Sequence, residues 1–227
     1  MPRRARQIVG GMIYHVINRG CGRMRLFGKP ADYAAFEKVM LEAMQKRAVP
    51  LLSYCLMPNH WHFLVCPKQD DDLSTFMHWL TMTHTLRWRH LRQLVGLGPL
   101  YQGRFRAFAV ETDEHYLKVC RYVERNALRA GLVDNAQDWR WCSLNIRQST
   151  DDARHVMLHP WPVDEPADWI AHVNRAQTDA EVQAIRQRIR SGRPFGSPNW
   201  ERRAAVRLGL DPVAGSPGRP RRQPNPT

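Results

Sequence analysis

The chain has 227 residues, 34 Lys and Arg against 21 Asp and Glu, a formal net charge of +13 and a pI near 10.2. That length suits one domain with a tail, or two small domains, and a core of roughly 150 residues folds without disulfide help. The charge points to a polyanionic partner, nucleic acid above all, in preference to a merely supercharged surface. No stretch is long and apolar enough to span a bilayer, so no membrane partner is expected. The five cysteines contain no CxxC pair, which suits a reducing cytosol and argues against a cysteine-built zinc site.

The basic start, Met1 to Arg6, is not followed by an apolar signal-peptide core, so a cytoplasmic location is expected. Met12 to Asn18 is rich in β-branched and aromatic residues and predicts a strand, followed by a loop with basic ends, Arg19 to Arg23. Pro30 opens a helix with the apolar face Tyr33, Phe36, Val39, Met40, Ala43 and Met44, stopping before Pro50. Leu51 to Met57 and His60 to Cys66 predict two strands joined as a hairpin at Pro58-Asn59. A long helix is expected from Leu73 to Val95, a strand from Arg104 to Glu111, and a helix from Thr112 to Ala130, stopped by Gly131.

This order predicts an α+β fold of the ferredoxin-like, split βαβ kind, an antiparallel sheet with helices on one face. Residues 1–145 form the expected core domain. Residues 146–214 are a helical extension, with helices at Asp179–Arg190 and Asn199–Leu208, that either binds DNA or packs on the core. Residues 215–227 form a basic Gly/Pro/Arg-rich tail, expected to be disordered.

The segment Pro58 to Cys66 carries the most chemistry. Side chains two apart on a strand share a face, roughly 6.5–7 Å apart, so His60 and His62 can close on one metal ion while Trp61 points to the core. The same pair reads as a zinc site of another class, or as two surface imidazoles. On the later helix, Tyr122 and Asn126 are four apart and share a face. If that face meets the histidines, Asn126 is a third ligand and Tyr122 a nucleophile. Tyr122 reads equally as a core aromatic beside Val119 and Val123, and Tyr116 is a second-ranked phenol. His78, His84 and His90 recur every six residues, a step that does not return to one helical face, so they are not read as a metal site.

Four segments in order resemble the single-tyrosine HUH transposases, and among them the REP-associated tyrosine transposases. They are Gly11 to Gly20, Met57 to Val65, Tyr101 to Phe105, and Arg121 to Val133. The resemblance spans residues 8 to 145. It implies a transposase-like single-strand DNA endonuclease and strand transferase, acting on hairpin-forming palindromic repeats through a 5′-phosphotyrosine intermediate. It implies His60 and His62 as metal ligands, Asn126 at the third position, Tyr122 as nucleophile, and Mg²⁺ or Mn²⁺. Imidazole with amide suits Mn²⁺ better than Mg²⁺, and the ligand set alone does not exclude zinc. Two positions depart from the family pattern: Ala127 replaces a common proline, which predicts a helix one turn longer, and Tyr101 replaces a tryptophan.

Single-stranded or hairpin DNA is the expected partner of a monomer or homodimer in a bacterial nucleoid. Arg19, Arg23, Arg25, Arg87, Arg89, Arg92, Arg104 and Arg106 are the candidate phosphate contacts, each equally readable as a solvated charge. Trp79 and Trp88 read as core. Gly218 to Arg222 resembles an AT-hook core, with Arg219 entering a minor groove. Two other functions fit the same fold: a non-catalytic hairpin-binding regulator, and a phosphoesterase acting through water.

Overall fold

The structure, a computed structural model, describes residues 7–210 apart from 95, 97, 149 and 151. Four strands, β1 (Ile13–Arg19), β2 (Leu51–Met57), β3 (His60–Val65) and β4 (Arg106–Val110), form one antiparallel sheet in the order β2-β3-β1-β4. The β2–β3 turn is Pro58-Asn59, with Met57 opposite His60.

The alternation along each strand divides the core in two. Tyr14, Val16, Trp61 and Phe63 point to one face, where α1 (Pro30–Lys46) and α2 (Asp72–Leu91) cover them. Trp61 and Phe63 stack with centroids 4.5 Å apart, and burying a side chain such as Phe63 stabilises the fold by roughly 1.5–3 kcal/mol. The apolar face expected for α1 is the one buried, from Tyr33 to Ala43. Asp72 staples the start of α2 by accepting from the backbone N–H groups of Lys68 (3.1 Å) and Gln69 (2.8 Å). That helix ends at Leu91, and Val95 lies outside the described residues.

One expectation is corrected here. The helices are not all on one face. The third helix, α3 (Glu114–Glu124), lies across the opposite face, packing Tyr116, Val119 and Val123 against Ile13, Leu64 and Phe108. The reason is in β1 and β3, which carry large apolar side chains in both phases of their alternation and so bury both sides of the sheet.

Past Gly131 the chain returns to this core. Helices α5 (Ser143–Arg147), α6 (Trp169–Asn174) and α7 (Asp179–Ser191) cover the α3 side, with Trp169, Val173, Val182 and Ile185 buried. Helix α8 (Pro198–Arg207) contributes Ala204 to the other side. Glu124, at the end of α3, is the polar centre of this packing. Its Oε1 accepts from Ser143 Oγ (2.6 Å), Ser53 Oγ (3.1 Å) and Arg147 Nη1 (3.2 Å), and its Oε2 from Trp169 Nε1 (2.8 Å).

Candidate active site

The hairpin turn is fastened from outside. Pro58 O accepts from the backbone N–H groups of Leu26 (2.8 Å) and Phe27 (3.1 Å), and Asn59 O from Gly20 N–H (2.9 Å). These bonds bring the loop after β1, with Arg19 and Arg23 at its ends, beside His60. The ring centroids of His60 and His62 lie 5.0 Å apart. Asn59 Oδ1 lies 2.6 Å from His60 Nδ1, so that nitrogen donates and Nε2 keeps its lone pair. His62 Nδ1 lies 2.8 Å from Nε2 of His15, a buried histidine of β1.

Tyr122 comes to the same place from α3. Its ring is edge-on to His62, centroids 5.8 Å apart. The helix expected to run unbroken to Ala130 stops at Glu124, Arg125 makes a joint, and α4 (Asn126–Arg129) follows. Gly131, at φ +66, ends the segment as expected. Arg129 ties the two pieces together. Its guanidinium lies 4.2 Å above the Tyr122 ring, its Nη2 donates to Asn126 Oδ1 (2.8 Å), and its Nη1 donates to Gln177 Oε1 (3.2 Å). The competing phenol of Tyr116 is fully buried beside Trp161 and its hydroxyl has no partner among the described residues.

His60, His62, Tyr122 and Asn126 line one cavity of about 800 Å³. Its wall also carries Arg19, Arg23, Arg104, Arg106, Arg129, Arg186 and Arg190, and among the described residues no carboxylate. A site so charged attracts phosphates. Four of the arginines named from sequence are therefore brought together. Arg87 is not: it makes a two-pronged bond to Glu42, at 3.0 and 2.7 Å. Arg92 is likewise paired, with Asp32 (2.8 Å). Arg219 lies outside the described residues. Reading the sequence missed His15, Arg129, Arg186 and Arg190. Arg129 alone left a signal, standing three residues after Asn126 on a helical face.

The imidazoles suit a cation. Burial first, then Arg19 and Arg129, lowers His60 to about 3. Burial holds His62 well below its ordinary value. Both rings are neutral near pH 7, with Nδ1 engaged by Asn59 and His15, the arrangement common to histidine ligands with an outer partner. A cation on His62 selects the tautomer in which Nδ1–H donates to His15. The carbonyl of Asn126 keeps a second lone pair beyond its bond to Arg129, and its buried Nδ2 has no partner among the described residues. The residues present therefore fit a divalent ion that accepts nitrogen and oxygen donors.

Another group, Glu111, Asp113 and His115, has ligand atoms within 4.8 Å of one another. Those atoms are engaged in structure: Asp113 Oδ1 caps α3 through His115 N–H (2.7 Å), and Glu111 Oε2 accepts from Ser197 N–H (2.5 Å).

Burial also predicts a pH dependence. His15 and His84 are both lowered to about 3 by burial, against about 6.5 in an unfolded chain. Their neutral forms belong to the fold, so the stability they contribute is complete above pH 6.5 and is lost as pH falls towards 3. For the pair this amounts to roughly 3–4 kcal/mol between pH 7 and pH 5. Urea unfolding at the two pH values measures it, and equal midpoints would contradict it. His84 donates to, or accepts from, Tyr101 Oη at 2.6 Å within the core, whereas His78 and His90 are exposed, so these three do not meet.

Residues 8–126 match the sequence model of the family described as "Transposase IS200 like". Among solved structures, the chain is similar to "Structure of the REP associates tyrosine transposase bound to a REP hairpin", with a TM-score of 0.53 and 20% identity over 73% of this chain and 92% of that one. A putative transposase from Deinococcus radiodurans R1 aligns with a TM-score of 0.38 and 17% identity, over 54% of this chain and 95% of that one. No curated protein matches the chain.

Proposed function

The chain belongs to the family of IS200-like transposases, and we propose that it cuts and rejoins single strands of hairpin-forming palindromic repeats in the manner of a REP-associated tyrosine transposase. The observation that carries this reading is the meeting of Tyr122 with His60, His62 and Asn126 in one arginine-lined cavity. A transposase with this fold is bound to a REP hairpin, which supports a hairpin as the substrate.

Nε2 of His60 and His62, with Oδ1 of Asn126, would hold Mg²⁺ or Mn²⁺, which supplies Lewis-acid stabilisation of charge on the scissile phosphate. The chain's own groups do the rest. The arginines of the wall seat the flanking phosphates, and Arg129 fixes the ring of Tyr122 from above. Tyr122 Oη attacks phosphorus in line and its proton passes to solvent. The P–O3′ bond breaks, and the departing 3′-oxygen takes a proton from water. The products are a 5′-phosphotyrosine and a free 3′-OH. Because the phosphodiester is kept, the 3′-OH of another strand reverses the step and joins DNA without ATP.

The test is incubation with Mn²⁺ and a labelled hairpin oligonucleotide bearing single-stranded flanks, followed by denaturation. A covalent protein–DNA adduct is expected, suppressed by EDTA. His62→Ala is expected to lose both the adduct and calorimetrically measured Mn²⁺ binding. Cleavage with no adduct would mean hydrolysis by water, and binding with no cleavage would mean a hairpin-binding regulator. Either outcome overturns the proposal.

A further inference from the structure

Helix α7 begins 53 residues past the end of the family match, at Asp179 against residue 126. It nevertheless supplies part of the wall of the candidate active site, through Arg186, Ile189 and Arg190. Resting on the function proposed above, we infer that α7 is a second wall of the DNA channel, and that Arg186 and Arg190 grip phosphates of the single strand flanking the cleaved bond.

Three observations carry this. First, the helix is held in place. Arg121 Nη2 donates to the carbonyls of Arg175 (2.7 Å) and Ala176 (3.2 Å), and Arg125 Nη1 to those of Val173 (2.9 Å) and Asn174 (2.6 Å), immediately before α7. A capping box of Thr178 and Glu181 starts it, Val182 and Ile185 are buried under it, and Gly192, at φ +71, ends it. Second, the two guanidiniums are free. Among the described residues neither Arg186 nor Arg190 has an ion pair or hydrogen bond, whereas Arg188 on the same helix is bonded to Glu201 (2.7 Å). Third, they stand among like charges. Arg186 is near enough to Arg129 to help depress its basicity, and Arg129 lies over Tyr122. Holding exposed cations in a cavity whose described lining has no carboxylate is unfavourable until a polyanion enters. The residues are four apart, so their charges rise from one helix face about one turn apart and can take two phosphates of one strand.

The experiment measures salt-dependent binding of the full chain to a hairpin with single-stranded flanks and to the same hairpin with none. Each phosphate contact on a single strand contributes about 0.7 to the slope of log K against log salt. For Arg186→Gln/Arg190→Gln the slope on the flanked hairpin is expected to fall by about 1.4, with no change on the flankless one. Arg186→Lys/Arg190→Lys keeps the charge and is expected to retain the wild-type slope, which separates lost contacts from a damaged fold. An unchanged slope for the glutamine variant overturns the inference, and so does an equal fall on both hairpins, which would place the contacts on the duplex. If the wild-type protein itself bound neither hairpin, the proposed function would fall first.

Discussion

Tyr122→Phe is expected to remove the covalent adduct and to slow cleavage on the order of 10³-fold or more, equivalent to at least about 4 kcal/mol of transition-state stabilisation. The substitution deletes one oxygen and keeps the ring. The guanidinium of Arg129, 4.2 Å above that ring, keeps its partner, and the wall of arginines is untouched. Hairpin affinity is therefore expected to stay within about twofold, because no phosphate contact changes. Denaturing gels read the adduct and filter binding reads the affinity. Tyr116→Phe is the matched control. Its hydroxyl is buried, and burial, with Cys120 and Glu124 nearby, pushes its phenol far above the ordinary range. Cleavage is expected to survive that change, and a loss there with Tyr122→Phe still active would transfer the role to Tyr116.

Glu124→Ala is expected to be the most destabilising single change near the site. Glu124 is fully buried and accepts from Ser53, Ser143, Arg147 and Trp169. Removing it leaves Arg147 without its buried partner, a loss of roughly 3–5 kcal/mol. In a chain of this size that lowers the melting temperature by about 10 °C. Calorimetry measures it, and a shift below about 2 °C, under 1 kcal/mol, would contradict the network. Glu124 lies two residues beyond Tyr122, so the proposed nucleophile shares the end of α3 that this variant is expected to loosen.

The periodicities of strand and helix made the centre of the candidate site readable as a grouping of residues. Period two along His60-Trp61-His62 placed two imidazoles on one face and the indole on the other, and the four-residue spacing of Tyr122 and Asn126 anticipated that both line one cavity, although the helix breaks between them. The break at Arg125 was not readable, because Arg125 and Ala127 are good helix formers and a lone Asn126 disfavours a helix only mildly. The site of α3 depends on which apolar phase of β1 and β3 each helix takes, a choice made by packing across the whole sheet. Arginines were the least readable. Arg87 meets Glu42 on a neighbouring helix, while Arg186 reaches the cavity from far along the chain. Both outcomes depend on contacts between distant segments, which a local pattern does not contain.

The later segments of the chain have one more effect. Leu56 N–H is bonded to Trp141 O (2.9 Å) and His159 N–H to Leu51 O (2.8 Å) along the outer side of β2. Phe195 N–H is bonded to Ala109 O (2.8 Å) and Glu111 N–H to Phe195 O (3.0 Å) along that of β4. A strand arriving from another molecule finds these particular lateral groups already taken, so pairing at these positions would displace native backbone. The segments after Gly131 thus act as covers for both edge strands, tying residues 141, 159 and 195 to the sheet that carries the paired imidazoles.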